Sequence, residues 1–156
     1  MVDSQSSPNN LFRQYSALSP FKQSAQKSDN SFATARSLGT LRASSSPVKF
    51  RLQGSLDKRD RDDYIKLEIA PGAAFSSITN LIAIKGGGIR VTSYLQFPGA
   101  SPQKVNSSTF AAGRRTQVTN APFSNTFGVS VQLFVQVRSL KPSKDIFYNS
   151  GITFNL

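Results

Sequence analysis

FRLQGSLDKRDRDDYIKLEI, residues 50–69, decides the fold. To its left, Val48, Phe50 and Leu52 recur every second residue, with Lys49, Arg51 and Gln53 between them. To its right, Ile65, Leu67 and Ile69 alternate with Lys66 and Glu68. Period-two alternation is the mark of a half-buried strand, so the stretch reads as two strands. Gly54-Ser55 ends the first run, and the charges from Asp57 to Asp63 predict a polar turn facing water. The expectation is an antiparallel pair joined by a charged loop.

The same stretch carries a resemblance. Asn30-Ser-Phe-Ala-Thr-Ala-Arg-Ser-Leu-Gly-Thr-Leu41 is followed by Gly54-Ser-Leu56 and then by Asp63-Tyr64-Ile-Lys-Leu67. This order resembles the bacterial pre-peptidase C-terminal (PPC) domain across Ser28 to Leu156. The resemblance implies a small, jelly-roll-like β-sandwich of the kind appended to secreted proteases or found as short stand-alone cyanobacterial proteins. It further implies a secreted or cell-surface setting, and a structural role for the Asp63-Tyr64 pair. The chain departs from the family at Gly87–Leu95, where an acidic strand is usual and no aspartate stands.

Composition narrows the chemistry. At 156 residues the chain is one domain's worth, and twelve Phe within 38% hydrophobic residues suffice for a core. Cysteine is absent, which excludes disulfides, thiolate metal sites and cysteine nucleophiles. Histidine is absent too, removing the commonest general base, the commonest zinc ligand and every Ser-His arrangement. No Gly-x-Ser-x-Gly occurs. The expectation is a protein that is not an enzyme.

The N-terminal residues Met1 to Pro8 lack the apolar segment of a secretion signal, and no run is long enough to span a membrane. Cytosolic residence, signal-independent export and prior processing all stay open.

The net charge is +11 and unevenly spread. After Glu68 the only acid is Asp145, against Lys85, Arg90, Lys104, Arg114, Arg115, Arg138, Lys141 and Lys144. A field of that sign favours an anionic partner such as an acidic protein or polysaccharide. Arg90, Arg114, Arg115, Arg138, Lys141 and Lys144 are the candidate partner-binding residues. Arg114-Arg115 beside Phe110, with Arg90 near Tyr94, is too scattered for a single-strand nucleic-acid platform, and no helix-turn-helix, zinc-finger or RNP pattern is present.

Along the chain, residues 1–28 form an arm rich in Ser, Gln, Asn and Pro. Leu11, Phe12, Tyr15, Leu18 and Phe21 interrupt it, either as part of a tail or as a docking peptide for its own domain or a neighbour. The sandwich domain is residues 29–156. Ala33–Leu38 predicts one helical turn capped by Asn30 or Ser31 and ended by Gly39. Pro71-Gly72 predicts a turn. Ala73–Ile84 fits helix or strand, and Gly86-Gly87-Gly88 predicts a hairpin loop. A strand follows at Ile89–Thr92, then a loop over Pro98–Asn106 and one or two weak strands within Phe110–Thr126. The strongest alternation runs through Phe127–Leu140, with Val129, Val131, Leu133, Val135 and Val137 on one face. Ile152, Phe154 and Leu156 alternate in a last strand. Many short strands with turn signals between them predict an all-β antiparallel sandwich preceded by the arm.

Asp57, Asp60, Asp62 and Asp63 are the one acidic cluster with metal-like chemistry, and calcium is the ion such oxygens suit. The interleaved Lys58, Arg59 and Arg61 support the competing reading, a self-neutralising solvated loop. No other cofactor is expected. Two functions stay open. One is a non-catalytic binding or assembly module with a basic face, self-assembling through its arm if the arm docks. The other is a basic cytosolic linker bridging subunits of a large acidic complex, as in cyanobacterial light-harvesting antennae.

Overall fold

A computed structural model describes residues 29–113, 115–141 and 144–155. The strands are β1 (Arg36–Leu41), β2 (Val48–Leu56), β3 (Asp62–Ile69), β4 (Ala74–Phe75), β5 (Ser77–Lys85), β6 (Ile89–Gln96), β7 (Gln103–Phe110), β8 (Thr116–Asn120), β9 (Phe123–Ser124), β10 (Val131–Ser139) and β11 (Ile146–Asn155). Sheet A has the order β1-β3-β10-β6-β7 and sheet B the order β2-β11-β5-β8, with β4-β9 as a small separate pair. The result is an all-β sandwich in which every pairing is antiparallel except β1 with β3. Among the described residues there is no helix, and none long and apolar enough to cross a membrane.

The two strands of residues 48–69 both form, but not as a pair. β2 lies in sheet B against β11, and β3 lies in sheet A between β1 and β10. Alternation fixes which side chains share a face and says nothing of the partner strand. Here each strand already has an inward apolar set, so the two are best buried by facing one another across the core. The charged segment 57–61 is therefore a crossing between sheets. The glycines 86–88 likewise cross, from β5 to β6, and do not close a hairpin. Gly86 needs its lack of a side chain, because at φ +100° a Cβ would collide with the Asp145 carbonyl.

Other local expectations also change. Ser31–Thr34 makes a single turn, in which the Thr34 amide donates to the Ser31 carbonyl, and Arg36 already begins β1. Gly39 ends no helix. It sits at φ +108° where the β1–β3 register slips between Ser37 and Thr40, a bulge glycine inside a strand. Residues 103–110, half read as loop, form β7 as an edge strand that pairs only with β6. β10 starts at Val131, leaving Phe127 and Val129 exposed.

Central β10 is covered on both faces. Val131 and Val137 are buried inward and Phe134 and Gln136 outward, although outward positions of a sandwich normally meet water. The segment before β1 supplies the cover. The Phe32 ring packs edge-on against Tyr64, Tyr94 and Phe134, with centroids 4.8, 5.0 and 5.2 Å away. At one end of the sandwich the chain passes from one sheet to the other after β2, β5, β7 and β10. The far end is pinned by fully buried Asn125. Its side-chain NH2 donates to the carbonyls of Ile69, Ala70 and Val129, and its Oδ1 accepts from the Phe127 amide.

Candidate functional site

Two places stand out: a buried acidic corner beside β3 and an apolar slot that opens at the β7–β8 edge.

The corner follows from register. Ile65, Leu67 and Ile69 face inward, so period two also turns Asp63 inward, and it is only 4% exposed. Opposite it on sheet B lie Gly54 of β2 and Tyr148 of β11, themselves paired in register. The Tyr148 hydroxyl donates to Asp63 Oδ2. A Cβ on Gly54 would collide with both groups, so glycine is required where the sheets bring a ring and a carboxylate together. Chain preceding β1 completes the corner. The Asp29 carbonyl accepts from the Tyr64 amide at 2.8 Å, which places the Asp29 side chain, 3% exposed, beside Asp63. Asp29, Asp60 and Asp63 each offer an oxygen within 4.8 Å of the others.

The electrostatics are lopsided. Arg36 approaches Asp29 only to 4.0 Å and spends one guanidinium nitrogen on the Gln53 carbonyl at 2.8 Å. Asp29 Oδ2 and Asp60 Oδ1 are buried without a hydrogen-bond donor from the protein. Burial pushes the Asp63 carboxyl up to about 7, opposed by the Tyr148 hydrogen bond and reinforced by the charge of Asp29. Asp60 is also raised, first by burial and then by Asp29 and Asp57. Burial and the neighbouring Asp63 charge push the Tyr148 phenol well above its ordinary value. Three carboxylates facing one distant guanidinium form a donor set of hard oxygens, which fits a proton or a hard divalent cation.

The four acids singled out in the sequence separate. Asp60 and Asp63 join this corner. Asp57 is exposed and closes its own turn, its Oδ1 accepting from the Arg59 and Asp60 amides, and those bonds hold its carboxyl below the usual range. Asp62 points to the other face of β3, where Gln136 and Arg138 donate to it, Arg138 through two nitrogens at 2.6 and 3.1 Å. Asp29, Gly54 and Tyr148 were not singled out as site residues. Extending the period of β3 back two residues would have turned Asp63 inward; nothing local marks Asp29.

The cations separate too. Arg138 is committed to Asp62, while Arg90 lies beside it in register on β6. Lys141 and Lys144 sit in the crossing after β10, bridged by the Lys144 amide to the Lys141 carbonyl. A charged crevice of about 430 Å³ lined by Asp57, Lys58, Arg59 and Asp145 lies at the same end. Arg115 precedes β8; Arg114 lies outside the described residues, as do Leu11, Phe12, Tyr15, Leu18 and Phe21. Apart from Asp145, which precedes β11, the acids of the described residues gather on the β2–β3 side, whereas Lys85, Arg90, Lys104 and Arg115 are the described charges of β5 to β8 with no acid among them.

The slot lies between the sheets. A cavity of about 440 Å³ is lined by inward apolar side chains, among them Leu52, Ile82, Val91 and Leu133, and by no charged side chain. It opens where Val105 and Asn106 of β7 face Asn120 of β8 and Pro122. β7 cannot close it, because its inner positions are largely polar. Close-packed interiors hold few voids larger than a water molecule. About 440 Å³ of apolar-walled space open at one edge leaves hydrocarbon surface facing water, which gains by being covered.

No family model matches the chain, and no curated protein matches it. Among solved structures it is similar to the pre-peptidase C-terminal domain of a collagenase from Bacillus anthracis, with 14% identity over 75% of this chain and 93% of that one and a TM-score of 0.46. It is also similar to the Yersinia pseudotuberculosis-derived mitogen, with 4% identity over 70% and 87% of the two chains and a TM-score of 0.40. A third neighbour is TmCBM61, solved in complex with β-1,4-galactotriose, with 10% identity over 71% and 66% and a TM-score of 0.37. The PPC domain resembled in sequence thus recurs among the structural neighbours.

Proposed function

We propose that this protein is a non-catalytic binding module whose cationic flank engages an acidic polymer and whose acidic corner takes a calcium ion. The segregation of charge carries the first part. Lys85, Arg90, Lys104 and Arg115 occupy one side of the sandwich without a carboxylate among them, and Lys141 and Lys144 extend that side at the crossing end. A polyanion laid along β5 to β8 meets cations, with Asp145 beside Lys144 the one acid at the border of this flank, while Asp29, Asp60 and Asp63 are held beside β3. Calcium at Asp29, Asp60 and Asp63 would cancel the charge nearest that end and supply the donor-less oxygens with a partner.

Full-length protein titrated with polygalacturonate, poly-glutamate and neutral dextran tests the reading. Binding to the two polyanions that weakens steeply between low and high salt, with none to dextran, is the expected result. Replacing Arg90 and Lys104 by Gln should weaken both polyanions without altering the melting temperature. Affinity indifferent to salt, or equal for dextran, would remove the electrostatic partner.

A further inference from the structure

We propose that the slot between the sheets is a binding site for a long-chain fatty acid, entering between β7 and β8 with its carboxylate left at the rim. The inference rests on the apolar interior of the sandwich and shares with the polyanion reading only the charge at the rim.

Four observations converge. The cavity, about 440 Å³, falls within the ~300–1,000 Å³ of small-molecule sites, and its lining holds no charge. Space between two facing sheets is flat and elongated, the shape of a hydrocarbon chain. The rim is built differently from the interior. Ser93 pairs with Asn106 and Tyr94 with Lys104, so Val105 is the extra residue of a β-bulge. Bulges re-aim side chains, and here both Val105 and Asn106 line the opening, with Val105 left 54% exposed. Finally, Asn106 and Asn120 place two amides at the mouth, Lys104 precedes Val105 in the chain, and no acid stands on β5 to β8. An apolar tail with an anionic, hydrogen-bonding head matches tail to slot and head to rim.

The probe is cis-parinaric acid, a fluorescent C18 fatty acid, titrated into the full chain with direct excitation of the polyene beyond the absorption of Tyr and Trp. Enhancement that saturates at one probe per chain and is reversed by stearic acid is expected. Val105→Trp puts a large ring across the mouth at an exposed position. It should lower affinity by about tenfold or more with the melting temperature unchanged. Lys104→Glu should weaken stearic acid while leaving displacement by neutral stearyl alcohol unaltered. Absence of saturable enhancement, or equal affinity in the Val105→Trp protein, overturns the proposal. Binding seen only after Phe12→Ser and Phe21→Ser also overturns it, because the arm would then be the natural occupant.

Discussion

Two buried polar clusters hold the two ends of this sandwich, and they are built on opposite principles. Asn125, at the far end, is neutral, and its side chain meets four backbone partners. The Asp29–Asp60–Asp63 corner is charged, crowded with like groups, and leaves buried oxygens without a donor. A satisfied cluster locks a chain crossing and responds to nothing in solution. An unsatisfied one makes the fold depend on whatever neutralises it. The difference separates a structural pin from a place where the molecule can take up a proton or an ion.

The largest effect is expected at the pin. Asn125→Ala strips partners from the carbonyls of Ile69, Ala70 and Val129 and from the Phe127 amide, and leaves a hole where a fully buried side chain stood. A loss of about 3–5 kcal/mol in urea unfolding is expected, the same at pH 5 and pH 8 and the same with or without calcium. A loss that varied with pH or calcium would erase the contrast between the two ends.

The corner should behave in the opposite way. Asp63 titrates at about 7 in the folded chain against 3.8 for the free side chain. Between those values the folded state holds the extra proton, so stability falls as pH rises. The contribution is fully present below about 3.8 and is lost as pH climbs through about 7. With EDTA present, the protein should be about 2–4 kcal/mol more stable at pH 5 than at pH 8. Calcium in large excess over its dissociation constant should restore about 2–3 kcal/mol at pH 8 and little at pH 5, where protons compete for the same oxygens. Stability that rises with pH in EDTA would mean that the three carboxylates do not share one enclosed space.

How much of this was legible in the sequence depends on the kind of signal. The inward faces of β3 and β10 and the Ile152–Phe154 end of β11 were written in plain alternation, because each has a core on at least one side; the first half of β11 was not read, and Leu156 lies outside the described residues. Partnership was not. β2 and β3 read as a hairpin since two alternating runs joined by a polar loop look alike whether they pair or cross between sheets. β7 was half missed because an edge strand with polar inner positions has no period to read. Asp63 was assigned to water by its charged neighbours, although Ile65, Leu67 and Ile69 already placed it on the buried face. Asn125 and Asp29 left no local trace. Their roles come from chain brought to them by the topology, from Ile69 in one case and from Asp60 and Asp63 in the other.

The smallest effect tests the corner most finely. In Tyr148→Phe the ring stays in its site and only the hydroxyl that donates to Asp63 is lost. That bond favours the carboxylate and opposes the burial that raises it, so without it the Asp63 carboxyl should titrate higher still. At pH 8, in EDTA, the variant should lose about 1–2 kcal/mol, because a buried carboxylate is left with one donor fewer. At pH 5 Asp63 is protonated in both proteins, and the loss should shrink to under about 1 kcal/mol, the value of a neutral hydrogen bond. The stability-against-pH curve of the variant should therefore begin its descent at the same pH, which the unfolded carboxyl sets, but continue to higher pH and fall further than that of the parent. Parallel curves would mean that the Tyr148 hydroxyl does not touch the titrating group, and the corner would then have to be redrawn around Asp29 and Asp60 alone.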